Sequence, residues 1–271
     1  MKLLLCFVML ISSALSFAQD PVAYLKSFDS KIYSLKNKGA KDFVVDIESS
    51  KLTKQMNDQQ LFGKVEELLF RVYWTSQPER VAIEIIGLPE GFKELKEELK
   101  VSVIPLLDNL IPQTLPQRFA GYTFTQGKKQ REIIARDTSG IAPIPTFSLS
   151  FDDKDRLIEV NGQKPVGLFI VKPVYEKESF SEGKWVLKEQ KTVASENGQT
   201  MTVSKELEYG KVQGISVLTE VEVTTEYRSE GTDKKPMSVS ETIEFKNYKI
   251  NEGTALKYFL GEGKPSTAPQ K

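Results

Sequence analysis

The run Val217-Leu-Thr-Glu-Val-Glu-Val-Thr-Thr-Glu-Tyr227 alternates strictly: Val217, Thr219, Val221, Val223, Thr225 and Tyr227 occupy one parity, and Glu220, Glu222, Thr224 and Glu226 the other. A period of two places successive side chains on opposite faces of a strand, so this segment predicts a β-strand with one buried and one wet face. The same two-faced pattern precedes it, in Trp185 and Leu187 and then in Met201, Val203, Leu207 and Tyr209. From Phe119 to Ile250 such runs follow one another with turn signals between them, which predicts an antiparallel meander. Asn161-Gly162 and Asn197-Gly198 are the strongest hairpin marks, because both residues tolerate the positive φ of a type I′ turn.

N-terminal to the meander the pattern is mixed. Asp20-Pro21 is a helix start, a capping carboxylate followed by the proline tolerated at the first helical position. Leu25, Phe28, Ile32 and Leu35 then recur every three or four residues and Gly39 supplies a stop, predicting an amphipathic helix from about Pro21 to Lys38. Phe43, Val45 and Ile47 alternate with Asp42, Asp46 and Glu48, a strand with one dry face, and further strands are expected at about Glu67–Trp74 and Pro78–Ile86. Phe92, Leu95, Leu99 and Val103 form the apolar stripe of a second helix, expected to kink or stop near Pro105.

A one-sided sheet needs cover for its apolar face, and two amphipathic helices are the available material. The expected fold is therefore mainly β with α: a strongly curved antiparallel sheet or incomplete β-barrel covered by two helices. One domain over residues 19–260 is expected, since no linker or internal repeat divides it.

The first residues carry a separate message. Lys2, the apolar run Leu3–Leu15 and Ser16-Phe17-Ala18 have the layout of a secretory signal, predicting cleavage after Ala18, export, and a periplasmic location. The run is shorter than the roughly 20 residues a membrane span needs, so no membrane anchor is expected. Cys6, the single cysteine, lies inside that run, leaving the mature chain neither thiol nor disulfide. The final stretch, residues 261–271, has almost nothing to bury and reads as a disordered tail.

Composition removes several chemistries. There is no histidine, so Ser-His-Asp and Cys-His arrangements, imidazole bases and histidine zinc sites are excluded. The 37 basic and 37 acidic residues balance, and no basic block stands out, so nucleic acid is not an expected partner. Three residual motifs remain. Ser181-x-x-Lys184 has the spacing of a serine nucleophile and lysine base, but Gly183 and the strand after it favour an ordinary turn. Asp152, Asp153 and Asp155 offer oxygen ligands for calcium, or simply a polar hairpin turn. Glu220, Glu222 and Glu226 share one strand face, where they read as solvated partners for lysines rather than as glycosidase carboxylates. No catalytic residue, cofactor or metal is expected, and the chain does not read as an enzyme.

More suggestive is the apolar, proline-broken stretch Val103–Phe119, with Pro105, Pro112 and Pro116, and a second such loop, Ile141-Ala-Pro-Ile-Pro145. Both read as core packing and loop anchoring or as covers over an apolar ligand cavity.

The exported helix leading into Phe43-Val-Val-Asp-Ile47, Tyr73-Trp74 with Pro78-Glu-Arg-Val81, Tyr209-Gly-Lys-Val-Gln-Gly214-Ile, and Phe245-Lys-Asn-Tyr-Lys-Ile-Asn251 together resemble the LolA/LolB-like periplasmic lipoprotein carriers. That resemblance implies an open barrel whose concave apolar face accepts the acyl chains of a lipid or lipoprotein. The cavity candidates are then Leu25, Phe28 and Ile32 on the first helix, Phe92 and Leu99 on the second, Leu106 and Leu110 in the proline-broken stretch, and Tyr73 and Trp185 on strands. The expected function is binding or carriage of an apolar ligand, or alternatively docking of an envelope protein partner.

Overall fold

The computed structural model describes residues 20–58, 65, 67–164, 166–229 and 236–262. The expected signal region, residues 1–18, and residues 263–271 of the expected tail lie outside these. In chain order the elements are α1 (Pro21–Ser30), a 3-10 turn at Lys36–Lys38, β1 (Asp42–Ser49), α2 (Ser50–Asp58), β2 (Leu69–Ser76), β3 (Glu79–Ile86), α3 (Lys93–Leu110) and α4 (Leu115–Arg118). The meander follows as β4 (Tyr122–Gln126), β5 (Glu132–Asp137), β6 (Thr146–Phe151), β7 (Leu157–Gln163), β8 (Leu168–Lys177), β9 (Trp185–Glu196), β10 (Gln199–Val212), β11 (Ile215–Ser229) and β12 (Met237–Ile250), before α5 (Thr254–Leu260).

All twelve strands belong to one antiparallel sheet, ordered β3-β2-β1-β12-β11-β10-β9-β8-β7-β6-β5-β4. Each hairpin neighbour pairs with the next, and β12 closes back onto β1, so β3 and β4 are the two free edges. The sheet is an open, curved one and not a closed barrel. The segment linking its two edges, residues 87–121, carries α3 and α4 across the inner face.

Two apolar cores fill that face. In the larger, Leu99, Val103, Leu106 and Leu110 of α3 pack among Phe43, Val45 and Ile47 of β1, Val72 and Trp74 of β2, and Leu207, Val221 and Phe245 farther along. In the smaller, Leu25 and Phe28 of α1 meet Leu115 and Phe119 around α4, together with Ile133, Leu149 and Val160. The second core is tied by charge as well. Asp155, in the turn between β6 and β7, accepts from Tyr24 Oη at 2.9 Å, Lys31 Nζ at 3.1 Å and Arg131 Nη1 at 3.2 Å.

Several expectations need correction. The first helix ends at Ser30, not Lys38, because the chain there joins the sheet. Ile32 bridges Trp185, with Tyr33 N–H donating to the Trp185 carbonyl and Trp185 N–H to that of Lys31, each at 2.8 Å. The second expected helix does not stop at Pro105 but runs on to Leu110. Proline denies a hydrogen bond to the Val101 carbonyl, but Val101 is exposed, where solvent can hydrate that group. Asn161-Gly162 is not a turn but lies within β7, where Gly162 faces inward. A Cβ on it would stand 2.9 Å from Phe147 Cε1 and 3.0 Å from Ile144 Cγ2, so the glycine is there for close packing. Asn197-Gly198 does turn, at φ 52° and 73°.

The supposed wet face of β1 is also covered. Asp46 is 2% exposed and its carboxylate accepts Arg71 Nε at 2.6 Å, Arg71 Nη2 at 2.9 Å and Asn247 Nδ2 at 3.1 Å. Nearby α5 lies on this outer face, Ala255 packing on Val44 and Tyr73. Finally, Glu220 stands opposite Glu208 and Glu244, and Glu222 opposite Glu206, so these carboxylates face one another rather than lysines.

Candidate functional site

Between α1, the α3–α4 segment and the inner face of β6–β10 lies a cavity of about 550 Å³. Its floor is apolar along β6–β8 and at the start of β9, with Phe147 on β6, Val160 on β7, Phe169 and Val171 on β8 and Leu187 on β9, and turns polar at Gln190 and Thr192 of β9 and Lys205 of β10. Pro173 continues that row just past Val171, the last β8 residue paired with β7, where no ladder bond to β7 is required of it. Pro105, Pro112 and Leu115 of the proline-broken stretch form the opposite wall, with Phe28 and Ile32 from and beyond α1. That stretch therefore both anchors the core and encloses the cavity.

Away from that floor the lining is largely polar, with Lys26 and the Lys36–Glu79 ion pair at its border. Asp29, Asp108, Asn109, Arg118, Gln190 and Lys205 reach the lining. Both oxygens of Asp29 accept the Leu115 backbone N–H. Burial nonetheless pushes its carboxyl up to about 6, against the opposing pull of that N–H and of the Arg118 charge. Burial likewise raises the Tyr175 hydroxyl, to about 12. Lys205 sits in the inward row of β10 between Val203 and Leu207, and burial lowers its pKa, the charge of Asp108 opposing this and that of Arg118 adding to it. A second space of about 310 Å³ lies on the other side of Lys205, against Leu106, Val203 and Phe70.

Of the nine residues expected at a cavity, Phe28 and Ile32 line the larger space and Leu106 the smaller. Leu25, Leu99 and Leu110 are buried in the closed cores. Phe92 is the half-buried residue capping α3. Tyr73 lies on the opposite face of the sheet, stacked on Tyr258 at 3.8 Å between ring centroids. Trp185 holds the bridge to Ile32 and carries Lys177 Nζ and Arg156 Cζ over its ring, at 4.8 and 5.2 Å. Lys205 and Arg118 escaped the sequence reading. Lys205 was findable, since it shares the parity of Met201, Val203 and Leu207 and so had to point where they point.

The residual motifs serve the fold. Ser181 is 0% exposed, its Oγ 2.9 Å from the Glu178 carbonyl and 2.7 Å from that of Lys184, while Lys184 Nζ donates to the Ser30 carbonyl at 3.4 Å. Asp152 caps the β6–β7 turn, accepting from Lys154 and Arg156 N–H at 3.0 and 2.8 Å. Among the described residues no group of three or more acidic side chains is arranged to hold a metal. Nor is any helix among them long and apolar enough to cross a membrane. The chain matches no protein-family model, no curated protein and no solved structure.

Proposed function

We propose that the protein is a periplasmic binding or carrier protein for an apolar ligand, a lipid or the acyl chains of a lipoprotein. The observation that carries this is the cavity of about 550 Å³ with its apolar floor. Its volume falls within the roughly 300–1,000 Å³ of small-molecule sites, which share such a continuous apolar surface. The sequence resemblance to lipoprotein carriers points the same way. Native mass spectrometry of protein purified without detergent tests the reading: a co-purifying lipid is expected, together with enhanced fluorescence of an apolar probe. An empty chain that leaves such a probe unchanged overturns it.

The alternative, docking of an envelope protein, draws on Val101 and Ile104, which are 64% and 53% exposed on the outer side of α3. A stoichiometric protein partner recovered without lipid favours that reading.

A further inference from the structure

The cavity wall carries donors for which the protein supplies few acceptors. Arg118 gives its Nε to the Gln113 carbonyl at 3.3 Å, and among the described residues neither its guanidinium nor the Lys205 ammonium forms an ion pair. Asn109 Nδ2, on the same lining, is buried without a hydrogen-bond partner. The carboxylates of the lining form no ion pair with either cation: Glu79 pairs with Lys36, Asp29 accepts the Leu115 N–H and meets Arg118 only through charge, and Asp108 is exposed and acts on Lys205 only through charge.

Lys205, partly buried in an apolar row, is costly to leave unpaired, and Arg118 stands exposed on the same lining as a second cation. An uncharged chain filling the cavity would remove water from Lys205 and supply nothing in return. A chain ending in an anion satisfies both halves of the lining at once, because charge-assisted bonds to carboxylate or phosphate oxygens are the strong ones. We infer that the cavity takes an anionic amphiphile, its acyl chain on Phe147, Val160, Phe169 and Val171 and its carboxylate or phosphate held by Arg118 and Lys205. Asn109 Nδ2 is the third donor. Lys205 stands where the larger and smaller apolar spaces meet, so the head group sits at their junction and not at the closed end of either. This rests on the carrier reading and names its ligand class.

The test uses the full chain and an uncharged fluorophore, phenylnaphthylamine, displaced by dodecanoate or dodecyl phosphate below their micelle-forming concentrations. Dodecanol is the chain-matched neutral control and dodecyltrimethylammonium the cationic one. The anions should displace the fluorophore roughly tenfold to a hundredfold more tightly than the alcohol. Arg118→Gln combined with Lys205→Gln should bring the anions down to the alcohol, each displacement being referred to that variant's own fluorophore affinity and its fold checked by circular dichroism. Arg118→Lys combined with Lys205→Arg should restore the preference, separating lost charge from a damaged fold. Stronger displacement by dodecyl phosphate points to a phospholipid-type head and by dodecanoate to a free fatty acid, and either supports the inference. Equal displacement by alcohol and anions, or a preference that survives the paired glutamines, overturns it and leaves the carrier reading intact. A fluorophore that does not bind at all overturns both.

Discussion

Asp29 Oδ1 and Oδ2 both accept the backbone N–H of Leu115, at 3.1 and 2.9 Å, joining the end of α1 to the start of α4 beside the cavity. Asp29→Ala removes that acceptor and leaves a part-buried N–H without a partner. The expected loss is about 1–3 kcal/mol of stability, read from urea unfolding. Unfolding midpoints equal to wild type would show that the tie contributes nothing.

The same carboxyl gives stability a pH dependence. Its pKa rises from an ordinary 3.8 to about 6 on folding, chiefly through burial, with Leu115 N–H and Arg118 opposing and Tyr175 close enough to sense its charge. A raised carboxyl pKa means that the folded chain holds the proton more tightly than the unfolded one. This contribution is therefore complete below the unfolded value and is lost as pH rises through about 6. Between pH 4 and 7 wild type should lose stability relative to Asp29→Asn, measured by denaturant titration at each pH. Parallel profiles for the two proteins would contradict this.

Val171 lies on the cavity floor and is only partly buried. Val171→Trp should fill the space, abolishing fluorescence enhancement of an apolar probe while circular dichroism stays as in wild type. Unchanged probe binding by a folded variant would place the probe elsewhere.

Gly162→Val puts branched carbon against Phe147 and Ile144, where even a Cβ would meet the ring at 2.9 Å. Overpacking of this kind costs about 1–3 kcal/mol. The displaced ring also narrows the cavity, so both thermal stability and probe affinity should fall together.

On the outer face, Arg71→Ala leaves the Asp46 carboxylate, 2% exposed, with Asn247 as its remaining side-chain donor. Breaking such a pair from one side should cost about 3 kcal/mol or more, and a second change, Asp46→Leu, should recover much of it. Denaturant unfolding of the single and double variants checks both statements.

The architecture was legible where residues announce it locally. Period-two runs such as Val217–Tyr227 mark strands whatever surrounds them, and Asp20-Pro21 starts α1 because Asp20 Oδ1 accepts the Val22 N–H at 3.0 Å. What was hidden depends on partners distant in sequence. The apolar spacing of Ile32 and Leu35 suits a helix, and only the backbone of Trp185 diverts that segment into the sheet. Asp46 reads as a wet residue until Arg71 and Asn247 are seen to enclose it. Gly162 shows why a turn dipeptide is ambiguous: a missing side chain serves close packing as well as it serves a positive φ. The apolar character of the candidate site was visible in the proline-broken stretch. Of its cations Lys205 was legible from the parity of β10, and Arg118 was not, because it reaches the lining only through the placement of α4.

The connection that carries α3 and α4 starts at β3 and ends at β4, the two unpaired borders of the sheet. It is thus a belt fastened to both sides of an unfinished cylinder, and its contour caps how far those borders can separate. Enlarging the enclosed space requires slack within the belt itself, and anything that shortens it draws the two borders together.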